Sequence, residues 1–396
     1  MTAIAAAVML CTGVGPARAQ DGTSWREAEA GALRNHVQVT FPRQFVKAGE
    51  SYFSPDGRWI IFQAVPRPAP GVDPDPFYSM YVMRLRYAGD GRIVGADEPI
   101  LVSPPGSANT CGFFHPTEPG RIIFGSTITP PADGPTAGYQ RDRSDYRWVF
   151  PPQTEVVTRV VPEIARLSRP VDAITPLFSE PDALAPVWTR PGYDAECAFS
   201  PDGRFIVHTR VDPATDDPDL YIYDTLSGRA RPIVRKKGYD GGPFFSADGR
   251  RICYRSDRRG DDLLQLYVMD LAPVVGAGGR PATRLIEHQL TDNEHVNWAP
   301  FWHPSGRFLV YTTSEVSHRN YEVFSIEAPP FGVDSATRPF TPRTRRLTFA
   351  DGFDGMPVFS PDGRWMMWTS QRGELSPGED RPSTQVWIAE VVDASP

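Results

Sequence analysis

Acidic and amide side chains recur at one position of this sequence, five residues before an aromatic residue that leads into a turn. The six aromatic residues are Phe53, Phe114, Phe199, Phe245, Trp302 and Phe359, and the residues five places earlier are Ala48, Asn109, Asp194, Asp240, Asn297 and Asp354. In two copies a glutamate, Glu50 or Glu196, stands three places before the aromatic residue. Such oxygen atoms, gathered in one place, could bind a hard cation such as Ca²⁺ or a basic or hydroxyl-rich ligand. They could equally satisfy backbone amides of their own loops.

Two further features could contribute to binding. His295 lies two residues before Asn297, close to the recurring position, where it could serve as a ligand or a proton carrier. The longest insertion, residues 127–160, carries Tyr146 and Trp148 among charged residues. Exposed aromatic side chains beside arginine are typical of binding loops, so we predict that Tyr146 and Trp148 contribute to binding.

Motifs of known catalytic centres are absent from the sequence. It has no G-x-S-x-G elbow, no H-E-x-x-H pair, no phosphate-binding loop and no EF-hand loop, and its seven histidines do not form a spaced cluster. The formal net charge of −7 lacks the basic footprint of a nucleic-acid-binding protein. These observations predict no catalytic residues and no nucleic-acid partner.

Six copies of a turn motif position the candidate residues. The best-preserved copies read Phe-Ser-Pro-Asp-Gly-Arg, and the six lie at residues 52–58, 113–121, 198–204, 244–250, 301–307 and 358–364. In such a turn Pro fixes its φ angle and Gly takes the left-handed position. An apolar run that favours a strand, such as residues 59–62, follows each turn, so each copy predicts a β-hairpin. Recurrence at 46 to 85 residues is typical of a β-propeller with insertions.

Further apolar runs supply a third and a fourth strand in each unit, which predicts an all-β, six-bladed propeller of four-stranded blades. The chain ends before blade six has a fourth strand, and residues 36–41 resemble the fourth-strand residues 345–349. We therefore expect residues 36–41 to complete blade six and remove an open sheet edge. The predicted propeller spans residues 36–392, with blades at about 50–103, 109–189, 194–234, 240–291, 297–348 and 354–392.

The beginning of the chain is typical of an exported protein. Residues 3–14 form an apolar run, and Ala17-Arg18-Ala19 is typical of a cleavage site, so we predict a signal peptide over residues 1–19. No Lys or Arg precedes the apolar run. Residues 20–35 would then be an N-terminal extension, and residues 393–396 would be a C-terminal tail. We predict that the mature protein is periplasmic or secreted. We expect the remaining cysteines, Cys111, Cys197 and Cys253, to be free thiols.

The repeats resemble the PD40 (WD40-like) repeats of the TolB-like propeller family. Residues 192–203, 238–249 and 352–363 carry the resemblance most clearly, and it covers nearly all of the chain after the predicted signal peptide. That family includes the periplasmic TolB proteins, so the resemblance implies a protein-binding scaffold of the cell envelope. TolB proper has an N-terminal α/β domain before its propeller, for which residues 20–35 leave no room. We therefore expect a propeller without that domain.

Two functions remain open at this point. In a propeller the first strand of each hairpin is innermost, so the loops that lead into these strands should surround the central channel. The first hypothesis is a monomeric, non-catalytic scaffold without a cofactor, which binds a protein or a cell-envelope glycan through this funnel. The alternative is a metal-assisted carbohydrate lyase or hydrolase with Glu50 or Glu196 as general base. The predicted funnel residues are Glu50, Asn109, Asp194, Glu196, Asp240, His295, Asn297 and Asp354.

Overall fold

Six antiparallel sheets follow one another along the chain and form a closed ring, which confirms the predicted six-bladed propeller. The computed structural model describes residues 24–131, 151–167, 184–271, 274–275, 281–282, 285–334 and 338–396. The innermost strand of every blade contacts the innermost strands of both neighbouring blades, and blade six contacts blade one. The predicted signal peptide and the predicted binding residues Tyr146 and Trp148 lie outside the described residues.

The strands of each blade lie side by side, from an innermost strand at the channel to an outermost strand at the rim. In that order, blade one contains Phe45–Phe53, Trp59–Pro66 and Ser79–Tyr87, with Ile93–Ala96 and Ile100–Leu101 sharing the outer place; blade two contains Asn109–Phe114, Arg121–Ser126, Glu155–Val160 and Ala185–Pro186; blade three contains Tyr193–Phe199, Phe205–Asp212, Asp217–Asp224 and Arg229–Val234. Blade four contains Asp240–Phe245, Arg251–Ser256, Gln265–Asp270 and Ile286–Gln289; blade five contains Asn297–Trp302, Phe308–Ser317, Asn320–Glu327 and Thr344–Arg346; blade six contains Asp354–Phe359, Trp365–Ser370, Gln385–Val391 and Leu33–Gln38. A short ribbon pairs Val274–Val275 with Pro281–Ala282, and the described residues contain two short helices, Trp25–Glu29 and Pro162–Leu167.

Apolar cores lie between neighbouring blades, where the faces of adjacent sheets meet. The largest core joins blades six, one and two and includes Met367, Ile61 and Phe124, all fully buried. Apolar burial on this scale is the main favourable contribution to folding. No helix within the described parts of the chain has the length and apolar character needed to span a bilayer.

A side-chain network inside each hairpin turn explains the recurring Ser and Asp. In blade one the Ser54 hydroxyl donates to Asp56 at 2.6 Å, and Asp56 also accepts the backbone N–H of Arg58 at 3.0 Å. The Ser54 oxygen in turn accepts the backbone N–H of Trp59 at 2.9 Å. Gly57 completes the turn with a φ of 68°, a left-handed conformation that favours glycine. Blades three, four and six repeat this network.

The N-terminal strand closes the ring, as predicted. Leu33–Gln38 pairs antiparallel with Gln385–Val391 and takes the outer place in blade six. The strand begins three residues earlier than the predicted residues 36–41, because the helix Trp25–Glu29 leads into it through a short turn. Past the end of the strand, Val386 donates its backbone N–H to the Thr40 hydroxyl at 2.8 Å instead of to a backbone carbonyl.

A buried ionic cluster fixes the N-terminal helix to the ring. Glu29 is fully buried and accepts hydrogen bonds from both terminal nitrogens of Arg372, at 2.9 and 3.0 Å. It also lies 2.7 Å from His36 Nε2 and accepts the backbone N–H of Phe349. Arg372 pairs in addition with Asp354. Burial raises the pKa of Glu29, but Arg372 and His36 outweigh burial and hold that pKa below its usual range.

We expect Arg372→Met to lower the free energy of unfolding by about 3–5 kcal/mol, because it leaves two buried carboxylates without their cation. Urea denaturation at neutral pH measures the loss. Arg34→Met is the matched control, since Arg34 pairs with Glu390 at 3.1 Å from an exposed position on the same N-terminal segment. Exposed ion pairs contribute little to stability, so equal losses in the two variants would contradict the role of the cluster.

Candidate functional site

Every innermost strand carries a β-bulge at the same place. The pairing with the second strand shifts register there in all six blades. The residue three places before the recurring aromatic residue has a positive φ in each blade: Glu50 (44°), Cys111 (55°), Glu196 (53°), Gly242 (61°), Ala299 (50°) and Met356 (54°). These six residues, the bulge ring, all line one central cavity of about 350 Å³. The bulge therefore re-aims one residue of each blade into the channel.

Aromatic rings close one end of this cavity. They come from the residue directly before the recurring aromatic residue, which is Tyr52, Phe113, Phe244 or Phe301 in four blades. The ring centroids of Tyr52 lie 5.5 Å from Phe113 and 5.4 Å from Phe244, and Phe244 lies 5.1 Å from Phe301. These rings, the aromatic plug, lie in the channel below the bulge ring, so within the described residues they close the cavity on that side.

Glu196 is the most tightly held carboxylate of the bulge ring. It is buried, and it accepts hydrogen bonds from the Tyr239 hydroxyl at 2.7 Å, the Gly242 backbone N–H at 2.6 Å and the Thr209 hydroxyl at 2.8 Å. Arg255 Nη2 lies 3.3 Å from Glu196 and 2.7 Å from the Tyr239 hydroxyl. Glu196 is thus fixed in orientation and neutralised by a neighbouring cation.

Two consecutive glycines, Gly241 and Gly242, leave the space through which Arg255 and Tyr239 reach Glu196. A Cβ atom on Gly242 would lie 2.0 Å from Arg255 Nη1, and one on Gly241 would lie 2.1 Å from the Tyr239 hydroxyl. The side chains of Arg255 and Tyr239 therefore cross the innermost strand of blade four where it has no side chains. Sequence reasoning missed both residues; the double glycine in an innermost strand was the signal that could have indicated them.

Glu50 occupies the corresponding position in blade one and is held more loosely. Its backbone N–H donates to the Thr369 hydroxyl at 3.0 Å, and its carboxyl group accepts a long hydrogen bond of 3.4 Å from Tyr52. Within the described residues, no cationic side chain lies within 4.0 Å of the Glu50 carboxyl group. Burial raises the pKa of Glu50 above its usual range, against the lowering effects of Cys111 and Arg255. Burial and the two glutamates also raise the pKa of Cys111, which keeps its thiol protonated.

The structure brings three of the eight predicted funnel residues to the cavity, namely Glu50, Asn109 and Glu196. The other five, Asp194, Asp240, His295, Asn297 and Asp354, do not line it. Sheet faces in a propeller pack against neighbouring blades, so regular strand residues such as Asp194 point between blades. The bulge turns the later position toward the channel, and of the six residues two places earlier Asn109 alone also lines the cavity.

The carboxylates between the blades are occupied by local partners. Asp194 lies 3.0 Å from His208 Nδ1, and both side chains are fully buried. Asp240 accepts hydrogen bonds from Arg258 at 3.1 Å and from the backbone N–H of Lys236 at 3.0 Å. Asp354 pairs with Arg372 in the buried ionic cluster.

The two predicted amides and the predicted histidine also make local contacts. The Asn297 side chain donates to Asn293 Oδ1 at 2.8 Å and to the backbone carbonyl of His295 at 3.0 Å. The Asn109 amide donates to the backbone carbonyls of Tyr78 and Ser107 at 2.9 and 2.8 Å. His295 is half-buried, and its backbone N–H donates to Asn293 at 3.1 Å. Among the described residues, no group of three or more His, Cys, Asp and Glu side chains is arranged to hold a metal ion.

Comparison with known proteins gives matches among solved structures. No protein-family model matches the chain. The chain is similar to TolB propellers. Its sequence is 15% identical to a putative TolB from Agrobacterium tumefaciens, with 87% of this chain and 90% of that chain covered and a TM-score of 0.48. It is 13% identical to TolB from Acinetobacter baumannii, with 89% and 65% covered and a TM-score of 0.48. An oligogalacturonate lyase from Vibrio parahaemolyticus is 11% identical, with 91% and 94% covered and a TM-score of 0.44.

Gly242→Ala should lower the free energy of unfolding by more than the usual penalty for a non-glycine residue in a left-handed conformation. The new methyl group would collide with Arg255 and force it away from Glu196. Gly260→Ala is the matched control, because Gly260 has a similar φ of 72° but no atom within 4 Å of the added Cβ. The control should lose about 1–2 kcal/mol, the usual penalty of that conformation, and Gly242→Ala clearly more. Equal losses in denaturant titrations would contradict the crossing of Arg255 at this glycine.

Glu50→Gln should change the pH dependence of stability in a defined direction. Because burial raises the pKa of Glu50, the folded protein holds this proton more tightly than the unfolded chain. The contribution of Glu50 to stability is therefore fully present below the unfolded pKa, about 4.3, and is lost as pH rises through the higher folded pKa. The gain in stability of Glu50→Gln over the wild type should be larger at pH 8 than at pH 4.

Urea titrations across this range measure the difference. The exposed Glu294→Gln controls for the change in net charge. A Glu50→Gln curve that stays parallel to the wild-type curve at every pH would show that folding does not raise the pKa of Glu50.

Proposed function

We propose that the chain is an exported, non-catalytic binding propeller that takes a polar group of a protein or glycan partner into its central cavity. The observation that carries this proposal is the bulge ring, which directs two carboxyl groups into a cavity closed at one end by the aromatic plug. A concave site with a few convergent polar groups is the usual form of a ligand pocket. Export is proposed from the apolar run at residues 3–14 and the cleavage site at Ala17–Ala19.

The residues that line the cavity also indicate the face from which a partner binds. The aromatic plug lies toward the end of the innermost strands, and the bulge ring and Lys47 precede it along those strands. Lys47, Phe77 and Tyr78 line the cavity toward that second face, and Lys47 Nζ lies 4.3 Å from the centre of the Tyr78 ring. Aromatic and cationic side chains around a polar pocket are typical of recognition sites, so the partner approaches the face where these strands begin.

Preorganisation supports binding as the role of Glu196. Three hydrogen bonds and a buried arginine hold this carboxylate before any ligand arrives. A group that is already ordered loses little conformational entropy on binding, which favours affinity. Within the described residues Glu50 has no cation within 4.0 Å, and it can exchange its hydrogen bond with Tyr52 for one with a partner. In this proposal Glu196 shapes the cavity and Glu50 makes the contact with the ligand, with the propeller acting as a monomer.

The proposal is tested on arrays of peptides and of bacterial and plant glycans. Ligands that bind the wild type are then titrated by calorimetry against Glu50→Gln and against the control Glu163→Gln, an exposed residue of the helix Pro162–Leu167 that does not line the cavity. A hydrogen bond to a charged or strongly polarised group contributes roughly 1.5–3 kcal/mol, so Glu50→Gln should bind at least about tenfold more weakly. The control should bind as the wild type does. Unchanged affinity in Glu50→Gln, or no bound ligand on either array, would overturn the proposal.

One observation favours the alternative function, a metal-assisted lyase or hydrolase acting on carbohydrate. A half-buried carboxyl group with a raised pKa, such as Glu50, is typical of general acids in active sites. Chromatography of the glycans after incubation distinguishes the two functions. Products formed by the wild type but not by Glu50→Gln would establish catalysis, whereas intact glycans recovered from the complex support binding alone.

A further inference from the structure

The polar side chains of the central cavity come mostly from one half of the ring. Blades one to three supply Glu50, Gln63, Cys111 and Glu196 beside aromatic residues such as Tyr78, whereas blades four to six supply Phe244, Trp298, Ala299 and Met356 together with Arg255, which is paired with Glu196. A ligand that fills this cavity therefore meets hydrogen-bonding groups on one side and an apolar, partly aromatic surface on the other. Molecules with one apolar face and a hydrogen-bonding edge match such a division.

Gln63 points to a ligand independently of the glutamates. Its side chain is only 7% exposed and lines the cavity, next to the innermost strand that carries Glu50. Within the described residues, the Gln63 Oε1 atom has no hydrogen-bond partner. Buried acceptors are nearly always satisfied, because an unpaired one costs about 1–3 kcal/mol. A ligand group that donates a hydrogen bond would remove this penalty.

The charges around the cavity favour a neutral ligand. Arg255 and Glu196 already neutralise each other, and Lys47 adds a second cation to the lining. A cationic group would meet Lys47 and Arg255, and an anionic group would meet Glu50 and Glu196. A hydroxyl group avoids both conflicts, since it donates to Gln63 Oε1 or Glu50 and accepts from Lys47.

We propose that the ligand is a neutral sugar residue at the end of a glycan chain, with its apolar face on Trp298 and its hydroxyl groups bonded to Gln63 and Glu50. This inference rests on the proposed function and specifies its ligand. The end of the chain is required because the aromatic plug, which includes Tyr52 and Phe244, closes the channel. A glycan cannot pass through the ring, so its terminal residue enters while the remainder stays outside.

The experiment uses the purified full chain and linear neutral oligosaccharides of glucose, galactose, mannose, xylose and N-acetylglucosamine, titrated by calorimetry. At least one of these probes should bind. Gln63→Leu and Trp298→Leu should each bind it about tenfold more weakly, because each variant removes one of the two proposed contacts. Gln289→Leu is the matched control, since Gln289 is exposed on the outer strand of blade four and should leave affinity unchanged.

The chain-end requirement is tested with the same oligosaccharide coupled to a bulky carrier through one end or through both ends. Coupling both ends should abolish binding, and coupling one of the two ends should leave it intact. Circular dichroism confirms that each variant is folded; if one is not, the other variant and saturation-transfer NMR of the wild type decide.

Distinct results separate this inference from the proposed function. Failure of every neutral oligosaccharide to bind overturns the sugar assignment. Affinities of Gln63→Leu and Trp298→Leu that both equal the wild-type affinity overturn it as well. Binding of a doubly coupled chain overturns the terminal position. A peptide or a charged glycan that requires Glu50 would leave the binding function in place while overturning the neutral sugar.

Discussion

The pairing of Leu33–Gln38 with Gln385–Val391 is the contact on which the rest of the propeller depends. A ring of sheets is stable only when its first and last blades are joined, because an open edge leaves backbone groups unpaired. The buried ionic cluster stabilises this pairing, because the salt bridge between Glu29 and Arg372 connects the N-terminal helix to the last blade. Only a closed ring keeps the six innermost strands at a common distance from the channel.

The bulge in each innermost strand converts this scaffold into a site. Without it, the residue at this position would point toward a neighbouring blade, as Asp194 and Asp354 do two positions earlier. A positive φ at one position per blade turns five side chains and Gly242 toward the axis. Since the backbone geometry is the same in each blade, the chemistry of the cavity is determined by which residue type stands at that position. Three consecutive blades supply Glu50, Cys111 and Glu196, and the other three supply Gly242, Ala299 and Met356.

The fold was predictable because its determinants are local. Pro, Asp and Gly specify each hairpin turn by short-range sterics and hydrogen bonds, and six turns at regular spacing leave few architectures open. The site was only partly predictable, because the direction of a side chain depends on register. Asp194 and Glu196 are two residues apart, yet a bulge invisible in composition sends one between blades and the other into the channel. Arg255 was missed because it reaches Glu196 across a neighbouring strand, a contact between residues far apart in sequence.

The closing strand also determines when folding can finish. Arg34 and Glu390, which meet across the joint, are 356 positions apart in the chain. Joining such distant segments carries a large loop-closure entropy and is slow. The hairpins are local and can form as soon as their own residues are available, but the first strand of the chain must wait for the last. During that interval blade six lacks an edge strand, so the nearly folded protein is the species most exposed to pairing with another chain.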